Sequence, residues 1–282
     1  MPLNPSSNFA RAADFIRKSK ADGAVLAVLP EYHLLSWVPD DPKHAELAGE
    51  WQAYLTKYQE LAKELAICIV PGTIVRKIKD NGGKDILVNI ATFIDYTGKI
   101  CGEYQKKNLW HPERMHLTSS GVAVPHIAFD TPLGRVGMVV CWDLAFPEAF
   151  RAMVRDGAQL IILPTFWMST DCSPKGLVRN PEAEALFLNS TLTARAFENT
   201  CAVVFVNAGG KKEDGYLGLS QVAMPFIGPL KGSLLEGSAE GVGIVDVDME
   251  ILNEAEENYK VREDLAREDW HYEYGDSKSK IT

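Results

Sequence analysis

The chain has 282 residues, 46% hydrophobic and 24% charged, an average soluble composition that excludes disordered, collagen-like and coiled-coil proteins. Its formal net charge is −9, with ten acids against five bases between residues 250 and 282. That acidity disfavours a nucleic-acid partner, because such affinity comes from Lys and Arg displacing counterions.

No apolar run reaches the ~18 residues of a membrane span, and residues 1–15 lack the basic and apolar regions of a secretory leader. Five cysteines at 68, 101, 141, 172 and 201 are an odd set without Cys-x-x-Cys spacing. They argue against a disulfide framework or zinc ribbon and for a reducing compartment, so a cytoplasmic protein without a membrane partner is expected.

Helical and strand periods alternate along the chain, the pattern of layered α/β proteins. Phe9, Ala13 and Ile16 mark a helix over 7–22, and Ala24 to Leu29 form a short buried strand. Leu47, Trp51, Leu55, Tyr58, Leu61 and Leu65 mark a second helix. Strands at 67–78 and 85–95 flank the turn signal Asn81-Gly82-Gly83. After a long loop, 126–130 and 135–140 read as a hairpin, followed by a helix at 146–156 and a strand at 159–163. A helix at about 181–199 and strands at 201–206, 219–226 and 242–248 complete the pattern. No Pro/Gly/Ser-rich linker divides the chain, so residues 1–282 are expected to form a single domain, with 249–282 as an aperiodic C-terminal tail.

The stretch Asp22 to Pro30 echoes Asp156 to Pro164, and in each a helix stops at Gly before a buried strand runs to Pro. Ligands in α/β sheets sit at the carboxyl ends of strands, which makes the residues after Pro30 and Pro164 site candidates. The first is Glu31. A third candidate is Cys141, where the strand Gly134 to Val140 breaks into a helix. Such an elbow exposes a side chain to the helix dipole and favours thiolate, although the same cysteine reads equally well as a small buried hydrophobe. None of the six histidines (His33, His44, His111, His116, His126, His271) stands in the context of a thiol-activating base. A carboxylate held near a lysine is the alternative base, and Glu31 and Lys106 both follow strand patterns, though each also reads as an ordinary loop cap or solvated charge.

Together, Leu29-Pro30-Glu31, Tyr104-Gln105-Lys106-Lys107-Asn108-Leu109 and Cys141-Trp142-Asp143-Leu144-Ala145-Phe146-Pro147-Glu148 resemble three ordered marks of the nitrilase, or carbon–nitrogen hydrolase, superfamily, amidase-like branch. Similarity continues through Ala194-Arg195-Ala196-Phe197-Glu198-Asn199, Asn207 and Gly218-Leu219-Ser220. The resemblance implies a four-layer α-β-β-α sandwich of the nitrilase type. It also implies a catalytic triad of Glu31 as general base, Lys106 as electrophilic stabiliser and Cys141 as nucleophile. Glu113 matches the family's second, supporting glutamate, and Trp142, Phe166 and Trp167 are candidate oxyanion or pocket residues. No metal and no cofactor are implied.

Two departures from the family pattern stand out. Met1 falls where the usual first strand should be finishing, so that strand is expected to be absent. Asp143 stands where nitrilases proper more often carry Glu, which points away from nitriles. The expected function is a thiol hydrolase cleaving a non-peptide C–N bond of a small amide or carbamoyl compound through a covalent acyl-cysteine. The alternatives are a nitrilase and a non-catalytic assembly module of the same fold. A homodimer or larger homo-oligomer is expected by resemblance, and because apolar side chains in the tail, including Tyr272 and Tyr274, would be covered by lying across a neighbour.

Overall fold

The computed structural model describes residues 1–230, 232 and 238–270. The chain opens with α1 (Pro5–Ala21), started by an Asn4 side chain that accepts the Ser7 N–H and by proline at the first turn. It continues through β1 (Leu26–Val28), α2 (Pro42–Leu47), α3 (Trp51–Leu65), β2 (Cys68–Val70), β3 (Thr73–Lys79), β4 (Asp85–Ile94) and β5 (Ile100–Gln105). After a long loop come β6 (Phe129–Thr131), β7 (Gly134–Met138), α4 (Pro147–Arg155), β8 (Leu160–Thr165), α5 (Pro174–Arg179) and α6 (Ala183–Asn199). Then β9 (Ala202–Asn207), β10 (Gln221–Met224), β11 (Gly228–Pro229), α7 (Glu250–Tyr259) and α8 (Val261–Leu265) follow.

The strands form two mixed sheets. In the first, β1 pairs parallel with β2, and the long β4 pairs antiparallel with β2 and β3 on one side and with β5 on the other. The second runs β11-β10-β9-β8-β7-β6, with β7, β8 and β9 parallel to one another. Helices α1 and α3 cover the outer face of the first sheet, burying Ile16, Tyr58 and Leu61 with Ile69, Ile74 and Ile94. Helices α4 and α6 bury Phe150, Met153, Leu188 and Leu192 with Ile161 and Val203 of the second sheet. Between the sheets, Phe93 meets Phe129 edge-on at 6.1 Å, and Val70 and Ala91 join the same core. This is the expected α-β-β-α order of layers.

The structure departs from the sequence reading in three places. The strand expected over 67–78 is two strands, because Pro71-Gly72 turns the chain, with Gly72 at φ +56°. Residues 242–248 form no ladder among the described residues, although Val245 and Val247 pack against the core. Alternation encodes which face is apolar, not whether a strand edge lies alongside.

The tail is the third correction. Residues 250–265 are not aperiodic but form the two helices α7 and α8, which bury Leu252, Ala255 and Leu265. The four bonds donated by the Arg262 and Glu263 backbones and the Arg262 guanidinium to Glu256 and Leu252 pin the corner between these helices. His271, Tyr272 and Tyr274 lie outside the described residues, as does the rest of 271–282.

Candidate active site

The carboxyl ends of β1, β5, β7, β8 and β9 converge on one point between the sheets. The internal echo in the sequence is physical there: the Glu31 N–H donates to Thr165 O at 3.3 Å, and the Phe166 N–H donates to Glu31 Oε2 at 3.0 Å. The two strand ends that terminate in Leu-Pro therefore clasp each other. Gly72 supports the clasp, since a Cβ there would stand 1.9 Å from the Pro30 carbonyl oxygen.

Glu31, Lys106 and Cys141 are all buried, with Lys106 wholly out of contact with solvent. Lys106 Nζ donates to Glu31 Oε1 at 2.9 Å and to Glu113 Oε1 at 2.6 Å, so one ammonium is shared between two carboxylates. Asn89, from the middle of β4, adds an Nδ2 donor to Glu31 Oε1 at 2.7 Å, and its carbonyl accepts the Lys106 N–H. Glu113 lies on a short 3-10 turn, His111–Met115, where its Oε2 accepts the Trp110 N–H at 2.7 Å. The Tyr32 hydroxyl completes the cluster by donating to Glu113 Oε1.

Cys141 opens the 3-10 turn Cys141–Ala145 with φ +48°, a left-handed conformation uncommon outside glycine. Asp143 holds that elbow: its carboxylate accepts the Val140 N–H at 2.9 Å, the Asn108 N–H at 2.9 Å, Asn108 Nδ2 at 2.8 Å and the Tyr104 hydroxyl at 3.0 Å. The same carboxylate thus ties the cysteine loop to the lysine loop. Asn207, at the end of β9, braces the Trp167 backbone in the same way, accepting its N–H at 2.8 Å and donating to its carbonyl at 2.9 Å.

The electrostatics follow from burial. Desolvation raises the Glu31 carboxyl from 4.5 to about 7, working with the Glu113 charge against Lys106 and against hydrogen bonds from Lys106 and the Cys141 thiol. Burial opposes the Lys106 charge, but Glu31, Cys141 and Glu113 outweigh it and hold Lys106 above the ordinary lysine range. Burial, and then the Glu31 charge, push the Cys141 thiol well above its usual value. Thiol and carboxyl thus meet in one water-poor site, with an obligatory cation beside them. Such a set can move a proton from sulfur to oxygen and hold negative charge on a bound carbonyl oxygen.

A cavity of about 110 Å³ opens on Cys141. Its walls are Tyr32, Trp37, Trp110, Trp142, Phe166 and Trp167, with Pro112, Glu113 and Asp171 completing the lining. The sequence-derived wall residues Trp142, Phe166 and Trp167 all come together here. Tyr32, Trp37, Trp110, Asn89 and Asp171 carried no motif. Asn89 alone left a signal, an amide in the apolar run Ile86 to Ile90. Arg114 and Arg195 are not among the lining residues. Arg195 binds Leu144 O and Glu198, and Arg114 binds Leu109 O.

The profile of the carbon-nitrogen hydrolases matches residues 1–257. The chain belongs to the carbon-nitrogen hydrolase family. As a carbon-nitrogen hydrolase it is an enzyme acting on C–N bonds other than peptide bonds. It is 31% identical to a probable nitrilase of Schizosaccharomyces pombe over 216 residues, 76% of this chain and 71% of the relative. It is 29% identical to 2-oxoglutaramate amidase of Bacillus subtilis, covering 94% of this chain and 93% of that one. Among solved structures, an amidase from Nesterenkonia sp. superposes with a TM-score of 0.71 at 25% identity, over 92% of both chains.

Proposed function

We propose that this carbon-nitrogen hydrolase is an amidase that cleaves a small amide or carbamoyl compound through a covalent acyl-cysteine. The observation that carries the reading is the buried Glu31–Lys106–Glu113 cluster facing Cys141 beneath a compact cavity. A buried lysine held by two carboxylates and set beside a thiol has no evident use in a scaffold, which disfavours the assembly-module alternative.

In this mechanism Glu31 takes the Cys141 proton as sulfur attacks the amide carbon. Lys106 Nζ and the Trp142 backbone N–H hold the oxyanion. The proton on Glu31 passes to the nitrogen, and ammonia or an amine leaves. Water enters, Glu31 takes its proton as the oxygen attacks the thioester carbon, and sulfur leaves and regains that proton from Glu31 as the acid is released. Glu113 is a positioning residue, since both of its oxygens are engaged, by Lys106 and Tyr32 and by the Trp110 N–H.

Amide-named relatives and the Asp143 elbow, which differs from the pattern of nitrilases proper, support amides over nitriles. The same reading includes a cytoplasmic enzyme and a homo-oligomer. The exposed Val178, Leu186 and Phe187 on α5 and α6 offer apolar surface for self-association. The mechanism is tested by mass spectrometry after rapid quench with a small primary amide. A wild-type protein carrying the acyl mass on the Cys141 peptide, together with a folded Cys141→Ala protein releasing no ammonia, is the expected result. Full turnover by Cys141→Ala would overturn it, and a higher kcat/KM for matched nitriles would reverse the choice of substrate.

A further inference from the structure

The ionisable side chains lining the cavity are unequal in what they leave for a ligand. Glu113 has both oxygens engaged, by Lys106 and Tyr32 on one side and by the Trp110 N–H on the other. Asp171, which closes the 3-10 turn Ser169–Asp171, spends Oδ2 on the Met168 N–H at 2.8 Å, and Oδ1 has no hydrogen bond among the described residues. No lysine or arginine is among the residues lining the cavity, and Lys106 lies wholly buried behind it.

Behind the wall, Glu184 accepts the Trp167 indole N–H at 2.6 Å, which adds negative charge on the Asp171 side. Burial, and then the neighbouring Glu184 and Glu113 charges, raise the Asp171 carboxyl above the usual range against the Met168 N–H and the more distant Lys106 charge, and no ion pair to Asp171 occurs among the described residues. The indoles of Trp37, Trp110 and Trp142 line the same cavity, and aromatic faces attract cations. A substrate carboxylate would find no partner in such a pocket. An ammonium would find one carboxylate oxygen and several π-faces.

Building on the amidase reading, we infer that the substrate is an amide bearing a positively charged amino group, and that Asp171 is the residue that selects it. The amide end lies on Cys141, and the ammonium end is received by Asp171 and the indole walls. This separates the chain by pocket chemistry from a relative named for 2-oxoglutaramate, an anionic amide, although the two share a family.

The test is equilibrium binding to the full-length Cys141→Ala protein, followed by quenching of the cavity tryptophans. The probes are 3-aminopropanamide to 5-aminopentanamide, the neutral isosteres butanamide to hexanamide, and the anions succinamate to adipamate. At least one aminoamide is expected to bind ~10-fold or more tightly than its neutral isostere, with the anions weakest. Adding Asp171→Asn should shrink the cation-to-neutral ratio to within ~3-fold, and raised salt should shrink it in the parent but not in the double variant.

Equal or tighter binding of the neutral or anionic series overturns the inference, and so does a ratio unmoved by Asp171→Asn. Should the double variant fail to fold, the ranking in Cys141→Ala still decides. Ammonia release by the wild-type enzyme from the same probes tests the amidase reading separately. Selective binding without ammonia would refute that reading and leave cation recognition standing, whereas ammonia released best from neutral amides would do the reverse.

Discussion

A thiol raised by burial and a carboxyl raised to about 7 by the same burial are poor ions separately and a matched proton pair together. Below pH 7 Glu31 is protonated and cannot accept the Cys141 proton, so kcat/KM is expected to fall as pH drops through about 7. Stopped assays from pH 5 to 9 check this, and an acid limb lying near 4.5 would show that Glu31 titrates as an ordinary carboxyl. Lys106 and Lys107 separate by direction: Lys106 Nζ lies between two buried carboxylates, whereas Lys107 reaches out to the Val124 carbonyl. Lys106→Met should lower kcat by ~10²–10³, the usual loss for an oxyanion donor, and should cost ~3–5 kcal/mol of stability by stranding two buried carboxylates. Lys107→Met should change kcat less than ~3-fold, because an exposed ammonium contributes little. Paired kinetics and urea melts measure both.

At the scale of elements, the site depends on five strand ends and the turns that brace them. The strand–elbow–helix pattern at Cys141 and the Leu-Pro-Glu strand end could be read from the chain, because burial runs and stop signals are local. Asn89 could be suspected only as a polar residue in an apolar strand, since its role depends on β4 lying beside β5. Tyr32, Trp37 and Asp171 were illegible, because they sit on turns whose convergence is fixed by the packing of two sheets and not by any spacing along the chain. The tail helices were missed for a different reason. Leu252, Ala255 and Leu265 give too few apolar positions for a clear period, and packing into the core that α8 shares with α4 and α6 supplies the stability that local pattern lacks. Gly72 tests the brace directly. Its φ of +56° alone makes Gly72→Ala cost ~1–3 kcal/mol, and the added Cβ must displace the Pro30 carbonyl next to Glu31. A loss of kcat of ~10²-fold with a folded circular-dichroism spectrum is expected, since a misplacement of about 1 Å has that effect on an oriented base. Wild-type turnover in Gly72→Ala would mean that the clasp does not position Glu31.

At the scale of the whole molecule, α7 and α8 close the helical layer over the second sheet, and the origin of their stability distinguishes two architectures. If these helices belong to their own subunit, Leu252 fills a site made entirely by one chain, alongside Leu265 and the α4 and α6 side chains of the same core. Leu252→Ala then removes a fully buried side chain and should destabilise by ~2–5 kcal/mol, with the spread set by how far the cavity collapses. Because that contact is intramolecular, the loss should be the same at every protein concentration. Were the tail instead exchanged across a neighbour, stability would be linked to association, and Tm would rise with protein concentration and shift further in the variant. Thermal melts of wild type and Leu252→Ala over a hundredfold dilution series, with light scattering at each concentration to record the assembly present, separate the two. A difference in Tm between the proteins that stays constant across the series, whether scattering reports monomer or dimer, is the expected result. A difference that widens on dilution would place α7 on the partner subunit.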